Sequence, residues 1–192
     1  MIAPVKAGVI IAPPNGPVIE TDRLILRGWR EADIEPNTAM LADPATALFI
    51  TSDGKAVTDA FVGWRKAAIM AGHWALHGFG MFVVEEKPTG RYVGRVGPWF
   101  PAGWPGLEVG WAITTGFRGN GYAVEAASAS IDWVFARFEI DRIVHTIRPE
   151  NLASQNVARR LGATIEGEVE LFGHVTDLWV TRREAWTAQP KP

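Results

Sequence analysis

Gly110-Trp111-Ala112-Ile113-Thr114-Thr115-Gly116-Phe117-Arg118-Gly119-Asn120-Gly121-Tyr122-Ala123 is the stretch whose reading decides the fold. It opens as a strand, passes a glycine-rich turn and enters a helix running from Tyr122 to Phe138. Val124, Ala127, Ile131, Val134, Phe135 and Phe138 share one face of that helix. A helix start presents unpaired backbone N–H groups and a partial positive charge. Glycines let that backbone approach a ligand closely, so the junction suits a phosphate or pyrophosphate. Spacing narrows the choice of ligand. A dinucleotide fingerprint needs a third small residue where Val124 stands, and the only Gly-Lys pair, Gly54-Lys55, is followed by Ala56 rather than Ser or Thr. What remains is Arg118-x-x-Gly121-x-Ala123.

Working outward, the period alternates between two and 3.6. Arg23 to Trp29 reads as a strand, Glu31 opens a helix that stops near Asp43-Pro44, and Thr58 to Trp74 is a second helix with Phe61, Trp64, Ala68 and Ala71 on one face. Phe79 to Glu85 and Arg91 to Val96 are strands around the turn Lys87-Pro88-Thr89-Gly90. A loop rich in Pro, Gly and Trp covers residues 97–106, and Leu107 to Ile113 is the strand before the glycine turn. Beyond the long helix, Asp141 to Ile147 is a strand and Asn151 to Leu161 a helix with Gly162 at its end. Ala163 to Glu170 and His174 to Arg182 are two last strands. The expectation is an α/β (α+β) fold: a mixed, largely antiparallel sheet of about seven strands flanked by about four helices. Residues 1–18 read as a flexible lead-in and 19–192 as a single domain.

The chain has 192 residues, 47% hydrophobic and 21% charged, which is globular composition. A net charge of -2 provides no basic field for nucleic acid. No cysteine is present, which excludes disulfides, thiolate metal sites and an acyl-cysteine intermediate. The short apolar run Gly8 to Ala12, ended by Pro13-Pro14, is no convincing signal peptide, and no run reaches membrane-spanning length. A soluble protein of the cytoplasm is expected. His73 and His77 are four apart without a third ligand, so no metal site is expected.

Arg118-Gly119-Asn120-Gly121-Tyr122-Ala123 resembles the coenzyme-A pyrophosphate loop of the GNAT superfamily of N-acetyltransferases. Ile19-Glu20-Thr21-Asp22-Arg23-Leu24-Ile25-Leu26-Arg27 resembles the opening strand of its RimJ/RimL-like branch, which acetylates N-termini of ribosomal proteins and various small amines. Glu108-Val109-Gly110-Trp111 is similar to the strand before the loop, and Asn151 to Asn156 through Arg160-Leu161-Gly162-Ala163 to the later helix of that branch. Four matches in order are far more specific than one. The resemblance implies the GNAT fold and acetyl-CoA as co-substrate. It implies acetyl transfer to a primary amine, a peptide N-terminus or a small molecule, by direct attack in a ternary complex. It also implies a homodimer as one form of assembly. The competing readings are a CoA-binding sensor or scaffold without catalysis, and a nucleotide-dependent enzyme.

Acyl transfer needs the thioester held, the amine neutral, the oxyanion stabilised and the thiolate managed. Backbone N–H groups of Gly119, Asn120, Gly121, Tyr122 and Ala123 are expected to cradle the pyrophosphate, and Arg118 adds charge there or is simply solvated. The resemblance implies that the pantetheine arm pairs with the backbone of Val109, Gly110 and Trp111. Along this strand Leu107, Val109, Trp111 and Ile113 are bulky, whereas Glu108, Gly110, Ala112 and Thr114 are small or polar. Successive side chains face opposite ways, so Glu108 is one carboxylate with empty space beside it, unless a bulge shifts the phase. Glu108 is the first choice for general base; otherwise it pairs with a cation. At pH 7 a neutral α-amine (pKa about 8) costs roughly 1 kcal/mol and a neutral lysine roughly 4–5 kcal/mol. The tyrosine that much of the superfamily uses on the later helix is missing, and the resemblance places Ser154 there as acid to the CoA sulfur. Asn151 matches a position that contacts pantetheine or positions water. Helix capping and a place in the first turn are the alternative readings of Asn151 and Ser154. Trp29, Trp64, Trp133 and Trp179 are expected in the core. Trp99, Phe100 and Trp104 are expected to wall an acceptor pocket or a dimer interface, and His174 to face solvent.

Overall fold

In a computed structural model, the structure describes residues 16–188. The lead-in expected over residues 1–18 lies outside the described residues except for 16–18. In chain order the elements are β1 (Ile19–Glu20), β2 (Leu24–Arg27), α1 (Ile34–Ala42), α2 (Pro44–Ile50), α3 (Ala60–His77), β3 (Phe82–Glu86), β4 (Tyr92–Trp99) and β5 (Glu108–Ile113). Then come α4 (Tyr122–Arg137), β6 (Arg142–Ile147), α5 (Leu152–Arg160), β7 (Thr164–Leu171), β8 (His174–Arg182) and α6 (Arg183–Ala188). The eight strands form one sheet in the order β1-β2-β3-β4-β5-β6-β8-β7. Neighbours are antiparallel except β5 and β6, which run parallel.

The elements beyond the expected count have local causes. Pro44 does not only end α1. It is the first residue of α2, because its missing N–H is one a helix start leaves unpaired anyway, and Asp43 caps the helix by accepting from the Ala45 N–H at 3.0 Å. After β8, Arg183 turns back under α4 and donates to the carbonyls of Ile140, Phe135 and Phe138 at 2.6–2.7 Å.

Helix α4 lays its expected face on the sheet: Val124, Ala127, Ile131, Val134, Phe135 and Phe138 are buried with Leu24, Leu26, Val84, Val96 and Val109. Met40, Leu41 and Val57 form a smaller cluster around Ala112. Helix α3 departs from the sequence reading. Its buried residues are Gly63, Ala67, Met70 and His73, and Phe61 and Trp64 stack on each other in solvent, 66% and 50% exposed. The cause is close helix contact: a Cβ on Gly63 would stand 2.2 Å from the Thr38 hydroxyl and 2.9 Å from its Cβ. The small residue therefore chooses the inward face and the aromatics turn out. Of the other tryptophans assigned to the core, Trp133 and Trp179 are buried, and Trp29 is half-buried with its indole N–H donating to the Met81 carbonyl at 2.9 Å.

Gly63→Ala should therefore destabilise the fold by about 1–3 kcal/mol, because α1 has no room to yield. Gly72→Ala on the same helix meets nothing within 4 Å and should stabilise by up to about 1 kcal/mol through helix propensity. Thermal unfolding of the two variants checks the sign, each kcal/mol being worth about 2–4 °C in a chain this long.

Candidate active site

The parallel pair β5 and β6 holds together over one residue pair, Glu108 with Val144, with the Val144 N–H donating to the Leu107 carbonyl at 3.0 Å. Beyond it the strands part. The next β6 residue, His145, meets the Val109 carbonyl through its side chain at 2.7 Å. Because a carbonyl only accepts, Nδ1 carries the proton, and Nε2 accepts from the Thr181 hydroxyl at 2.9 Å. Burial pushes the His145 pKa down to about 4, consistent with this neutral form. The Trp111 indole leans on the His145 ring at 5.1 Å and fills part of the wedge.

A cavity of about 520 Å³ opens at this parting. Its lining includes Glu108, Val109, Gly110, Trp111, Asn151 and Ser154, together with Trp99, Trp104, Phe172 and His174. Six of the expected site residues thus meet around one space. The loop from Arg118 to Ala123 lies outside it, past the end of β5.

Glu108 is 8% exposed. One carboxylate oxygen accepts from the Trp104 indole and from the Thr146 hydroxyl, the latter at 2.9 Å. No cation stands within ion-pair distance of it among the described residues. Loss of hydration outweighs the hydrogen bonds, and its pKa is pushed up to about 7. The register from β4 to β5 is regular, so no bulge shifts the phase there. The space beside Gly110 is not empty as expected: a Cβ on Gly110 would stand 3.0 Å from the Met81 methyl.

In the loop, Gly119 and Gly121 take the left-handed conformation, both with φ of 80°. Nothing lies within 4 Å of a Cβ placed on Gly119, and the start of α4 has no side-chain cap. Its N–H groups therefore stay available to an anion, and the fit to a pyrophosphate is good. Arg118 is neither free nor fully committed to a ligand. Its Nε donates to the Ile113 carbonyl at 3.1 Å, Nη2 donates to Thr46, and Asp43 lies 3.7 Å away. The Tyr122 hydroxyl points away to Glu86 at 2.6 Å, so only the Tyr122 backbone belongs to the loop.

Asn151 caps α5, its Oδ1 accepting from the Ser154 N–H at 3.1 Å, which leaves the amide NH2 as a donor. The Trp111 indole N–H donates to Ser154 Oγ at 3.2 Å. An indole N–H only donates, so Oγ accepts there and its own proton is left to point elsewhere in the cavity. Trp99, at the end of β4, and Trp104 line the cavity, whereas Phe100 packs against the core. His73 organises that loop. Its Nδ1 donates to the Phe79 carbonyl at 2.7 Å, and Nε2 accepts from the Phe100 N–H at 3.3 Å. With both ring nitrogens engaged it is no ligand, and no group of three metal-binding side chains occurs among the described residues. His174 is exposed at the rim. Sequence reasoning missed Thr146, His145 and Arg95. Only Arg95 carried a signal, as a charge within the apolar strand Val93 to Val96.

The description acetyltransferase (GNAT) domain belongs to a family model that matches residues 23–164. YkkB of Bacillus subtilis (strain 168), itself uncharacterised, is 29% identical over 146 residues, 74% of this chain and 82% of YkkB. The acetyltransferase from Agrobacterium tumefaciens str. C58 superposes with a TM-score of 0.74 at 27% identity, over 87% of this chain and 95% of that one. Mycobacterium smegmatis RimJ, solved with a CoA-disulfide, shares the fold with a TM-score of 0.67 at 22% identity, over 88% and 87% of the two chains. The parted strands and the open helix start thus occur on a chain that matches this family from its opening strand past its later helix, and the protein belongs to the GNAT family of acetyltransferases.

Proposed function

We propose that this chain transfers an acetyl group from acetyl-CoA to a primary amine by direct attack in a ternary complex. The observation that carries the reading is Glu108, a dehydrated carboxyl with pKa about 7 facing the cavity where β5 and β6 part. A base whose pKa lies near working pH accepts a proton readily and is still about half ionised.

Acetyl-CoA supplies the acyl group as a thioester. The N–H groups from Gly119 to Ala123 hold its pyrophosphate, with Arg118 adding a partly shared charge. Asn151 and the backbone of Val109, Gly110 and Trp111 position the arm. Since the Val109 carbonyl already accepts from His145, the N–H and C=O of Trp111 are the groups that alternation along β5 turns into the gap. Glu108 Oε takes the proton the amine loses as its nitrogen bonds to the acyl carbon. Ser154 Oγ–H donates to the sulfur as the C–S bond breaks. The cytoplasm, where acetyl-CoA is consumed, is the proposed site of action.

Excess acetyl-CoA, at a hundred times its dissociation constant, should stabilise the protein by about 2.7 kcal/mol, or roughly 5–10 °C, with NADH and ATP giving no shift. Binding without thiol release from any amine would point instead to a CoA-binding module. With a working acceptor, kcat/KM should rise with pH through about 7 as Glu108 ionises. Glu108→Gln should remove that limb and lower the rate about 10²–10⁴-fold; an unchanged profile would assign the base elsewhere.

Stability gives an independent check on the same carboxyl. Between the unfolded value of 4.5 and the folded value of about 7, the folded chain keeps a proton that the unfolded chain releases. Glu108 therefore makes folding less favourable as pH rises through this window, by on the order of 3 kcal/mol at its upper end. Urea unfolding at a series of pH values should find Glu108→Gln gaining on the parent from pH 4.5 to 7. A constant difference would mean that the carboxyl titrates normally.

A further inference from the structure

The cavity floor carries a second ionisable group that acetyl transfer does not use. Arg95 lies in the middle of β4, retains 6% of its surface and lines the cavity. Its Nε and Nη1 have no hydrogen-bond partner, and no carboxylate pairs with it among the described residues. A buried guanidinium without a counter-charge is strongly unfavourable, and protein interiors rarely leave one so.

Its position relative to Glu108 is fixed by register. Trp99 with Glu108, Gly97 with Gly110 and Arg95 with Ala112 are successive alternate pairs of the β4–β5 ladder, so their side chains share one face. Glu108 and Ala112 stand about 13 Å apart along the strand. Between them the floor is the glycine pair, with the Met81 methyl above Gly110. The floor thus reads as proton acceptor, apolar spacer and cation. Lys66 also lines the Arg95 end, without an ion pair among the described residues, and burial followed by the charge of Arg95 pushes its pKa down. Arg148 also lines the cavity but is paired with Glu150 at 3.6 Å, and Glu108 is the single carboxylate of the lining. The chain as a whole has a net charge of -2, yet its cavity is positive.

The geometry points to an acceptor that carries a carboxylate as well as its amine, with the amine at Glu108 and the carboxylate on Arg95 and assisted by Lys66. This rests on the amine-acetylation reading above and narrows it to amino-carboxylates whose amine and carboxylate stand several bonds apart, against polyamines and aminoglycosides. No atom transfer is assigned to Arg95: it is a specificity-determining residue that supplies the missing half of an ion pair.

The test compares amino acids and ω-amino carboxylic acids of increasing chain length with their carboxamides, in thiol release from acetyl-CoA. The parent should prefer the carboxylate on the order of 100-fold in kcat/KM at the best chain length, the scale of a buried charge left unpaired. Arg95→Met should abolish that preference, and Arg95→Lys should keep part of it, since the charge stays and the planar fork goes. A structural role alone would lower both members of each pair together. Should Arg95→Met not fold, Arg95→Lys and the parent still decide. A second measurement needs no turnover: the N-acetylated carboxylates should raise the melting temperature of the parent, and their methylamides should not. Equal treatment of carboxylate and carboxamide in both measurements overturns the proposal and leaves acetyl transfer standing. Absence of any acetyl-CoA effect overturns the transfer reading, and the carboxylate shift in melting then still decides the anion site.

Discussion

The cavity and the side chains gathered around it depend on β5 and β6 being parallel neighbours that fail to stay paired. A parallel ladder continued past Glu108 and Val144 would consume the backbone groups of Val109 and Trp111 and seal the sheet. Here His145 replaces the next ladder bond with a side-chain bond to the Val109 carbonyl, and Trp111 stands against the His145 ring. The buried C=O is satisfied without the strands closing, which removes the main cost of leaving a gap in a sheet. β8 on the far side of β6 makes this tolerable. It pairs with β6 over its whole length, so β6 stays a strand while it leaves β5.

The same opening sets the electrostatics. A carboxyl at the parting is shut away from bulk water by Trp104, Thr146 and the β7–β8 turn, yet its neighbours donate only neutral hydrogen bonds. Neutral donors lower a carboxyl pKa less than a cation does, and here dehydration prevails. Arg95 is the complementary case on the same floor: burial pushes its pKa down, and no carboxylate answers it. Had Glu108 and Arg95 been placed side by side they would have neutralised each other and left neither available. The glycine pair between them keeps them apart. His145 offsets part of the pH effect of Glu108. Its folded pKa is lowered from 6.5 to about 4, so the unfolded chain takes up a proton in that window and stability rises with pH there, opposite in sign to Glu108.

Much of this was legible in the sequence because local rules and global packing agree. The α4 face followed from helical periodicity, the loop from its glycines, and Glu108 from strict alternation along β5. What misled was local information that packing overrode. Phe61 and Trp64 are large and apolar, and size suggested the inward face of α3, but Gly63 at the α1 crossing decided it. Pro44 read as an end and was also a beginning. What stayed illegible was register. Trp104, Thr146 and His145 act on β5 through pairings fixed only once β6 and the loop before β5 are in place, and nothing in their own neighbourhoods announces it. Arg95 was legible as an anomaly, a charge among apolar residues, but its relation to Glu108 needed the β4–β5 ladder.

The glycine loop before α4, proposed above to hold the pyrophosphate, shows how distant segments serve one requirement. Glu125 lies in the first turn of α4, where its charge would oppose a phosphate at the helix start. It is instead held by the Thr21 hydroxyl at 2.6 Å, the Arg23 N–H at 3.0 Å and the Arg23 guanidinium at 2.6–2.7 Å. Burial alone would raise its pKa, but these bonds more than offset it and keep the group ionised and neutralised in place. Arg23 also donates to the Asn120 carbonyl at 2.9 Å, turning one oxygen of the loop to the cation and away from the anion side. The opening segment Thr21-Asp22-Arg23 thus has a physical reason to accompany Arg118-x-x-Gly121-x-Ala123 in one chain. It removes a negative charge that the helix start would otherwise present to an anion, and it does so from the turn between β1 and β2, at the far side of the sheet from β6.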